Sequence, residues 1–248
     1  YLWNSPEAQR MVSSNVSYQL SRNDVAMGYT YDRHTGIYTY RPENVNGNNV
    51  LNGKVNCSTP LDKRKRLKLE LNTEATYRHS MDLSSDSPDQ VPQTSAVRTT
   101  YLTQGLRINY SISSIHLGGK ASGTYTRQTS PRAGFVTTDA ASYQYGINCT
   151  ADIPMGWQIS TDATMYSRRG YADKAFNTDH FVWNIRVAKK FMKGRLTVML
   201  DGFDILNNIS NVRQTLNAQG RTETWYMSIP RYAMLHAVYR FSKSPQRK

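Results

Sequence analysis

LKLELNTEATY, Leu67–Tyr77, alternates without a break. Leu67, Leu69, Leu71, Thr73, Ala75 and Tyr77 fall on one side of an extended chain. Lys68, Glu70, Asn72, Glu74, Thr76 and the following Arg78 fall on the other. Successive side chains of a strand point to opposite faces, so this stretch reads as a strand with one apolar and one polar face. The same period returns in YQYGINCTADI (Tyr143–Ile153) and in WQISTDATM (Trp157–Met165). Helical spacing is nowhere better than this, and the expected fold class is all-β.

Outward from these strands the punctuation also alternates. Short turns are expected at Arg22–Asp24, Pro60–Lys65, Ser111–Ser114, Ile153–Gly156 and Phe191–Gly194. Longer polar stretches lie at His34–Asn46, Asp82–Ser95, Thr129–Val136, Gly170–Asp179 and Asn207–Thr222. The pattern implies about eleven strands, many at or beyond the roughly 9–11 residues that cross a bilayer at a tilt. The chain is expected to be a single β-barrel segment over 1–248, with a loop at 1–10, strands over 11–241 and a basic tail at 242–248. No apolar run approaches the ~18 residues of a membrane helix, a test that barrel strands escape.

The 248 residues carry 31 Lys+Arg against 18 Asp+Glu, a net charge of +13. The basic clusters KRKRLK (Lys63–Lys68), KKFMKGR (Lys189–Arg195) and SKSPQRK (Ser242–Lys248) all fall at the short-turn end. Anionic lipid headgroups, or another anionic surface, would account for that bias. A nucleic-acid surface would interleave aromatic and basic residues on one face. Here the aromatics mostly lie opposite the charges, and nucleic acid is not an expected partner. Tyr29, Tyr77, Tyr101, Tyr125, Tyr143, Tyr166 and Trp183 lie towards the long-loop ends, and Trp157, Tyr239 and Phe241 towards the short-turn end. Two bands of amphipathic rings suit two membrane–water boundaries. A soluble sandwich or lipocalin-like barrel also alternates, with its apolar face inward. Strand length, the strict order of connections and the wet polar faces favour the transmembrane barrel.

Catalytic chemistry has little footing. His34, His79, His116, His180 and His236 are scattered. Glu70 and Glu74 share a face about 13 Å apart, too far for a cooperating acid–base pair. Cys57 and Cys149 lie on strands about four apart, roughly 19 Å, beyond disulfide reach. Neither zinc spacing nor a CxxC occurs, so no metal, no cofactor and no enzymatic activity are expected. Counting register across Asp82–Ser95 sets Arg107 opposite Glu70, and Asp162 should face Asn184 or Arg186.

TYRPENVNGNNVLNGKVNCSTPLDKRKRLKLELNT (Thr39–Thr73) resembles the barrel region of outer-membrane β-barrel proteins related to TonB-dependent receptors, where a PENVNGN loop precedes a strand and a TPLDK turn. LDGFDILNN (Leu200–Asn208) is similar to that family's penultimate-strand motif, and IPRYAMLHAVYRF (Ile229–Phe241) to its final strand. The resemblance spans roughly Asn15 to Phe241. It implies a 22-stranded barrel filled by a plug, of which this chain, lacking plug and TonB box, is the C-terminal half. It implies outer-membrane localisation, and scaffolding and ligand capture for energised uptake. The partners implied are outer-membrane lipid and lipopolysaccharide, an upstream plug domain and first barrel half, the TonB complex and the barrel-assembly machinery.

On that reading Arg41, Asp86, Arg132, Arg168, Arg169, Asp173 and Lys174 are the loop residues expected to touch ligand. Glu70, Glu74, Arg107, Lys120, Asp152, Asp162 and Arg186 are expected to face the lumen, holding the plug or lining the path. Tyr239 and Phe241 form the expected assembly signal. The alternative is a non-energised outer-membrane barrel acting as an adhesin, structural or binding protein.

Overall fold

A computed structural model describes residues 1–32, 34–85, 93–132, 135–171, 174–209, 212–217, 220–226, 229 and 231–241. In chain order the strands are β1 (Leu2–Ser5), β2 (Arg10–Ser21), β3 (Asp24–Tyr31), β4 (Tyr38–Val45) and β5 (Asn48–Pro60). Next come β6 (Leu67–Ser85), β7 (Gln93–Ile112), β8 (Ile115–Thr129), β9 (Thr138–Ile153) and β10 (Trp157–Arg169). The last are β11 (Asp179–Phe191), β12 (Leu196–Phe203), β13 (Val212–Asn217), β14 (Gly220–Trp225) and β15 (Tyr232–Tyr239).

One antiparallel path runs β1-β2-β5-β6-β7-β8-β9-β10-β11-β12-β15, which is eleven strands. β13 and β14 form a separate two-stranded ribbon between β12 and β15. The path has the expected number of strands, but fifteen strands form among the described residues, and the assignments differ in three places. Residues 1–10, expected as a loop, contain β1, whose Leu2 pairs with Ser13 and Ser5 with Arg10. Arg22–Asp24, expected as a short-end turn, instead lies at the long-loop end. There the chain leaves the path after β2 to form the β3–β4 hairpin, and β5 is the next strand beside β2. Alternation alone cannot separate a barrel strand from a hairpin arm, since both are half-apolar ribbons. Pro42–Val45 likewise belong to β4, and the chain turns only at Asn46–Gly47, where Gly47 has φ +104°.

The short turns need backbone that side chains seldom adopt. Ile153–Gly156 closes with Met155 at φ 67° and Gly156 at φ 80°, and Phe191–Gly194 with Lys193 at φ 54° and Gly194 at φ 87°. A terminal glycine accepts that left-handed region at no steric cost.

Register fixes the tilt of the strands. Trp157 pairs with both Ile153 and Lys189, and Phe191 lies two residues below Lys189. Ile115 pairs with Ala151, two residues above Ile153, and Leu67 pairs with Tyr110, two above Ile112. Met11 pairs with Ser58, two above Pro60. Each hairpin is thus offset from the next by about one residue per strand. With a rise of ~3.3 Å per residue and ~4.8 Å between strands, that stagger corresponds to a tilt of roughly 35°, within the range of barrels.

Burial is inside out relative to a soluble sheet. Val16, Ile147 and Leu235 are 76%, 69% and 72% exposed, whereas Asp201 and Thr164 on the other face are 2% and 1% exposed. Among the described residues no second layer covers the apolar face, unlike the inner face of a sandwich. On this face Tyr18, Tyr77, Tyr125, Tyr143 and Trp183 sit eight to ten residues above the short-turn ends of their strands. At the tilt above this is about 22–27 Å, matching an apolar band of ~25 Å. Trp157, Phe191 and Tyr239 mark the lower boundary, where Lys189 Nζ lies 4.7 Å from the Trp157 ring centroid. Three expected members of the upper band belong elsewhere. Tyr101 pairs with Thr76 and Tyr166 with Gln144, so both lie on the polar face. Tyr29 is on the hairpin.

No pairing joins β1 to β15 among the described residues, and both run from the long-loop end to the short-turn end. The basic tail 242–248 lies outside the described residues.

Candidate functional site on the polar face

Residues of the polar face meet across strands as rows. Glu70 pairs with Arg107, its carboxylate 3.5 Å from the guanidinium and 3.0 Å from Lys68 Nζ. Arg107 pairs in turn with Lys120, so two cations stand directly opposite each other. Like charges so placed repel, and the row stays cationic around its one carboxylate. Higher up, Glu74 accepts from Asn52 Nδ2 at 3.0 Å. Asp152 accepts from Gln158 Nε2 at 2.8 Å. Asp162 accepts from Asn184 Nδ2 at 3.0 Å, the first of the two partners expected for it. Arg186 turns to Asp201, donating from Nε and from Nη2, the latter at 3.0 Å. His236 Nε2 reaches the same carboxylate at 2.9 Å, so Asp201 ties β11, β12 and β15 together. All seven residues expected to line a lumen share this one face.

The face is hollow. A cavity of about 380 Å³ is lined by Glu70, Arg107, Lys120, Ser122 and Gln144 among others. A second, of about 330 Å³, shares Ser122 and Gln144 with it and adds Thr124, Tyr166, Arg168 and His180 towards the long-loop end. The lower cavity is cationic, and the upper one combines hydroxyls, the Gln144 amide and the Tyr143 and Tyr166 rings with the Arg168 guanidinium and the His180 imidazole.

The loop residues divide. Arg132 is engaged: its Nη1 donates to the Tyr29 hydroxyl at 2.7 Å and to Asp82 Oδ2 at 3.0 Å. Arg168 lines the upper cavity, donates to the Tyr171 hydroxyl at 3.1 Å and stacks 4.8 Å from that ring centroid. Arg169 points to the other side and pairs with Asp179 at 2.6 Å. Arg41, on β4, and Lys174 are exposed. Asp86 and Asp173 lie outside the described residues. At the hairpin tip Asp32 accepts from the Thr35 hydroxyl at 2.7 Å and the His34 amide at 2.8 Å, and these bonds hold its carboxyl below the usual range.

Residues 102–239 match the outer membrane protein beta-barrel family. The chain belongs to that family. The match covers more than half of the chain and takes in both LDGFDILNN and the whole of β15. No curated protein matches it. Family membership places this outer-membrane barrel chain in the outer membrane.

Sequence reading missed several groups in this outer-membrane barrel. Asp82 and Arg132 are fifty residues apart, and no spacing joins them. Asp201 had a signal, since it sits in the LDGFD stretch. Asp204 of that stretch is fully buried and accepts from the amides of Asn208 at 3.0 Å and Ile209 at 2.8 Å, which locks the turn after β12.

Proposed function

We propose that this chain is the C-terminal barrel portion of a TonB-dependent-receptor-like protein, scaffolding and capturing ligand for energised uptake across the outer membrane. The observation that carries this reading is the hollow, charged polar wall. Side chains on adjacent strands do not fill it: Arg107 keeps 63% of its side-chain surface and Lys68 47%. Small barrels fill their interior with their own side chains, whereas the widest ones enclose a plugged lumen. Charged rows that remain open suit docking against a second polar body, here an upstream plug and a first barrel half of the same protein. The chain acts by binding and positioning and makes no bonds. Its other partners are outer-membrane lipid and lipopolysaccharide, the TonB complex reached through the plug, and the assembly machinery that reads Tyr239 and Phe241.

The orientation follows from loop lengths, since such barrels keep short turns on the periplasmic side. In intact cells Lys174→Cys of the full-length protein should react with a membrane-impermeant maleimide, and Lys193→Cys only after the outer membrane is breached. Uptake of the captured ligand should stop when the proton-motive force is collapsed. Undiminished uptake would leave the non-energised barrel as the better reading.

A further inference from the structure

The hairpin of β3 and β4 has two unlike faces. Tyr29 pairs with Tyr40 and Tyr31 with Tyr38, so four tyrosines share one face, which continues into Met27 and Pro42. Asp24, Arg41 and Glu43 all fall on the opposite face, where Gly28 packs so closely that an added Cβ would stand 3.3 Å from Leu83 Cβ. No charged side chain of β3 or β4 lies on the tyrosine face, which the Arg132 guanidinium reaches at the Tyr29 hydroxyl, and the face is open: Tyr38 is 50% and Tyr40 55% exposed. Their rings lie 6.4 Å apart and within 20° of parallel, while Tyr31 and Tyr38 are 4.6 Å apart.

The side on which this face lies follows from the sheet. Above Asn49, β3 takes the place of β5 beside β6, pairing in parallel through Tyr29 with Ser84 and Thr30 with Ser85. Tyr29 therefore points to the side of Asp82, which is the polar side, and Arg132 bonded to both makes that direct. The hairpin extends the hollow wall upward. Below it the same wall carries Tyr101 and Tyr166, the latter among Ser122, Thr124, Ser142 and Gln144.

We propose that the tyrosine face is a binding platform for a neutral oligosaccharide, delivered from there to the upper cavity. This rests on the reading of the chain as the capturing part of an uptake barrel. Tyrosine offers a large, rigid surface at small entropic cost, with a hydroxyl at its rim. A pyranose has flat C–H faces that stack on such rings, and hydroxyls that suit the Ser, Thr and Gln groups of the cavity below. Arg132 beside the platform is already paired with Asp82, which leaves little net charge there to draw an anionic ligand. Pro42 has no backbone donor, and β4 pairs only with β3 among the described residues, so an added peptide strand is disfavoured there.

The test uses the full-length protein in detergent, without an energy source, titrated calorimetrically with maltohexaose, cellohexaose and chitohexaose, and with a proline decapeptide as the competing class. At least one hexasaccharide should bind, with the same affinity at low and high salt because the ligand carries no charge. The double variant Tyr38→Ala, Tyr40→Ala should weaken that binding by about tenfold or more, a loss of at least ~1.4 kcal/mol. Tyr38→Phe, Tyr40→Phe should retain most of it, since the rings remain. Both variants alter half-exposed positions, and an unchanged thermal transition checks their folding. No binding of any hexasaccharide, equal binding by the alanine variant, or binding of the decapeptide alone overturns the proposal. Uptake by cells is a separate measurement: its failure leaves this binding intact, and failure of binding leaves uptake of another ligand open.

Discussion

Arg132 and Asp82 form a salt bridge at 3.0 Å in which the carboxylate side chain is only 8% exposed, and the same guanidinium holds the Tyr29 hydroxyl. One arginine from the loop after β8 thereby fastens β6 and the β3–β4 hairpin to the rim. A buried charge that loses its partner is costly, so Arg132→Ala should destabilise this corner by about 1–3 kcal/mol. Hydrogen exchange should quicken over residues 24–45 while the strands beneath keep their protection. Unchanged exchange in the hairpin would show that the bridge does not hold it.

Asp201 is the meeting point of three strands. Asp201→Ala leaves Arg186 and His236 without their shared acceptor and should lower unfolding stability by about 3 kcal/mol in urea-dependent folding into vesicles. A double-mutant cycle with His236→Ala should return a coupling of at least ~0.5 kcal/mol. Additive losses would mean that β15 is held by backbone pairing alone.

The exposed apolar face predicts a depth profile. Ile147 lies midway between the aromatic boundaries and Ile153 at the lower one. Ile147→Arg should cost about 2–4 kcal/mol in a bilayer and Ile153→Arg about 0–1 kcal/mol. Equal costs, measured by folding into vesicles, would contradict the assignment of this face to lipid.

At the hairpin tip the sign of the pH effect is fixed by the bonds to Asp32. They favour the charged carboxylate, so its folded pKa lies below the unfolded one. The resulting stabilisation is present above the ordinary carboxylate pKa and disappears as pH falls through the lowered folded value. The tip should therefore loosen only in acid, and Asp32→Asn should abolish that dependence. A carbon-13 titration of Asp32 with its midpoint at or above the ordinary range would refute the effect.

Much of this fold is legible in single stretches. Alternation at Leu67–Tyr77 assigned both faces of β6, and counting across the β6–β7 connection put Arg107 on Glu70, because register in a long hairpin propagates from one turn. What stayed hidden depends on contacts between distant segments. The β3–β4 arms alternate like any barrel strand, and only pairing shows that β5 has replaced them beside β2. Tyr101 and Tyr166 looked like girdle rings because ring position along a strand is easier to read than facing. Asp82 and Arg132 have no local signal at all, since nothing in either loop requires the other.

The shared direction of β1 and β15 has a consequence for how the wall can be completed. Eleven antiparallel strands in series are an odd set, so the two outer edges descend together. Setting a second copy of this chain beside the first, with its loops on the same side, would bring β15 against β1 in parallel. Two copies turned over to pair edge to edge would put the long loops of one on the periplasmic side. Self-association therefore cannot yield a continuous antiparallel ring, and any piece that closes it contributes an odd number of strands.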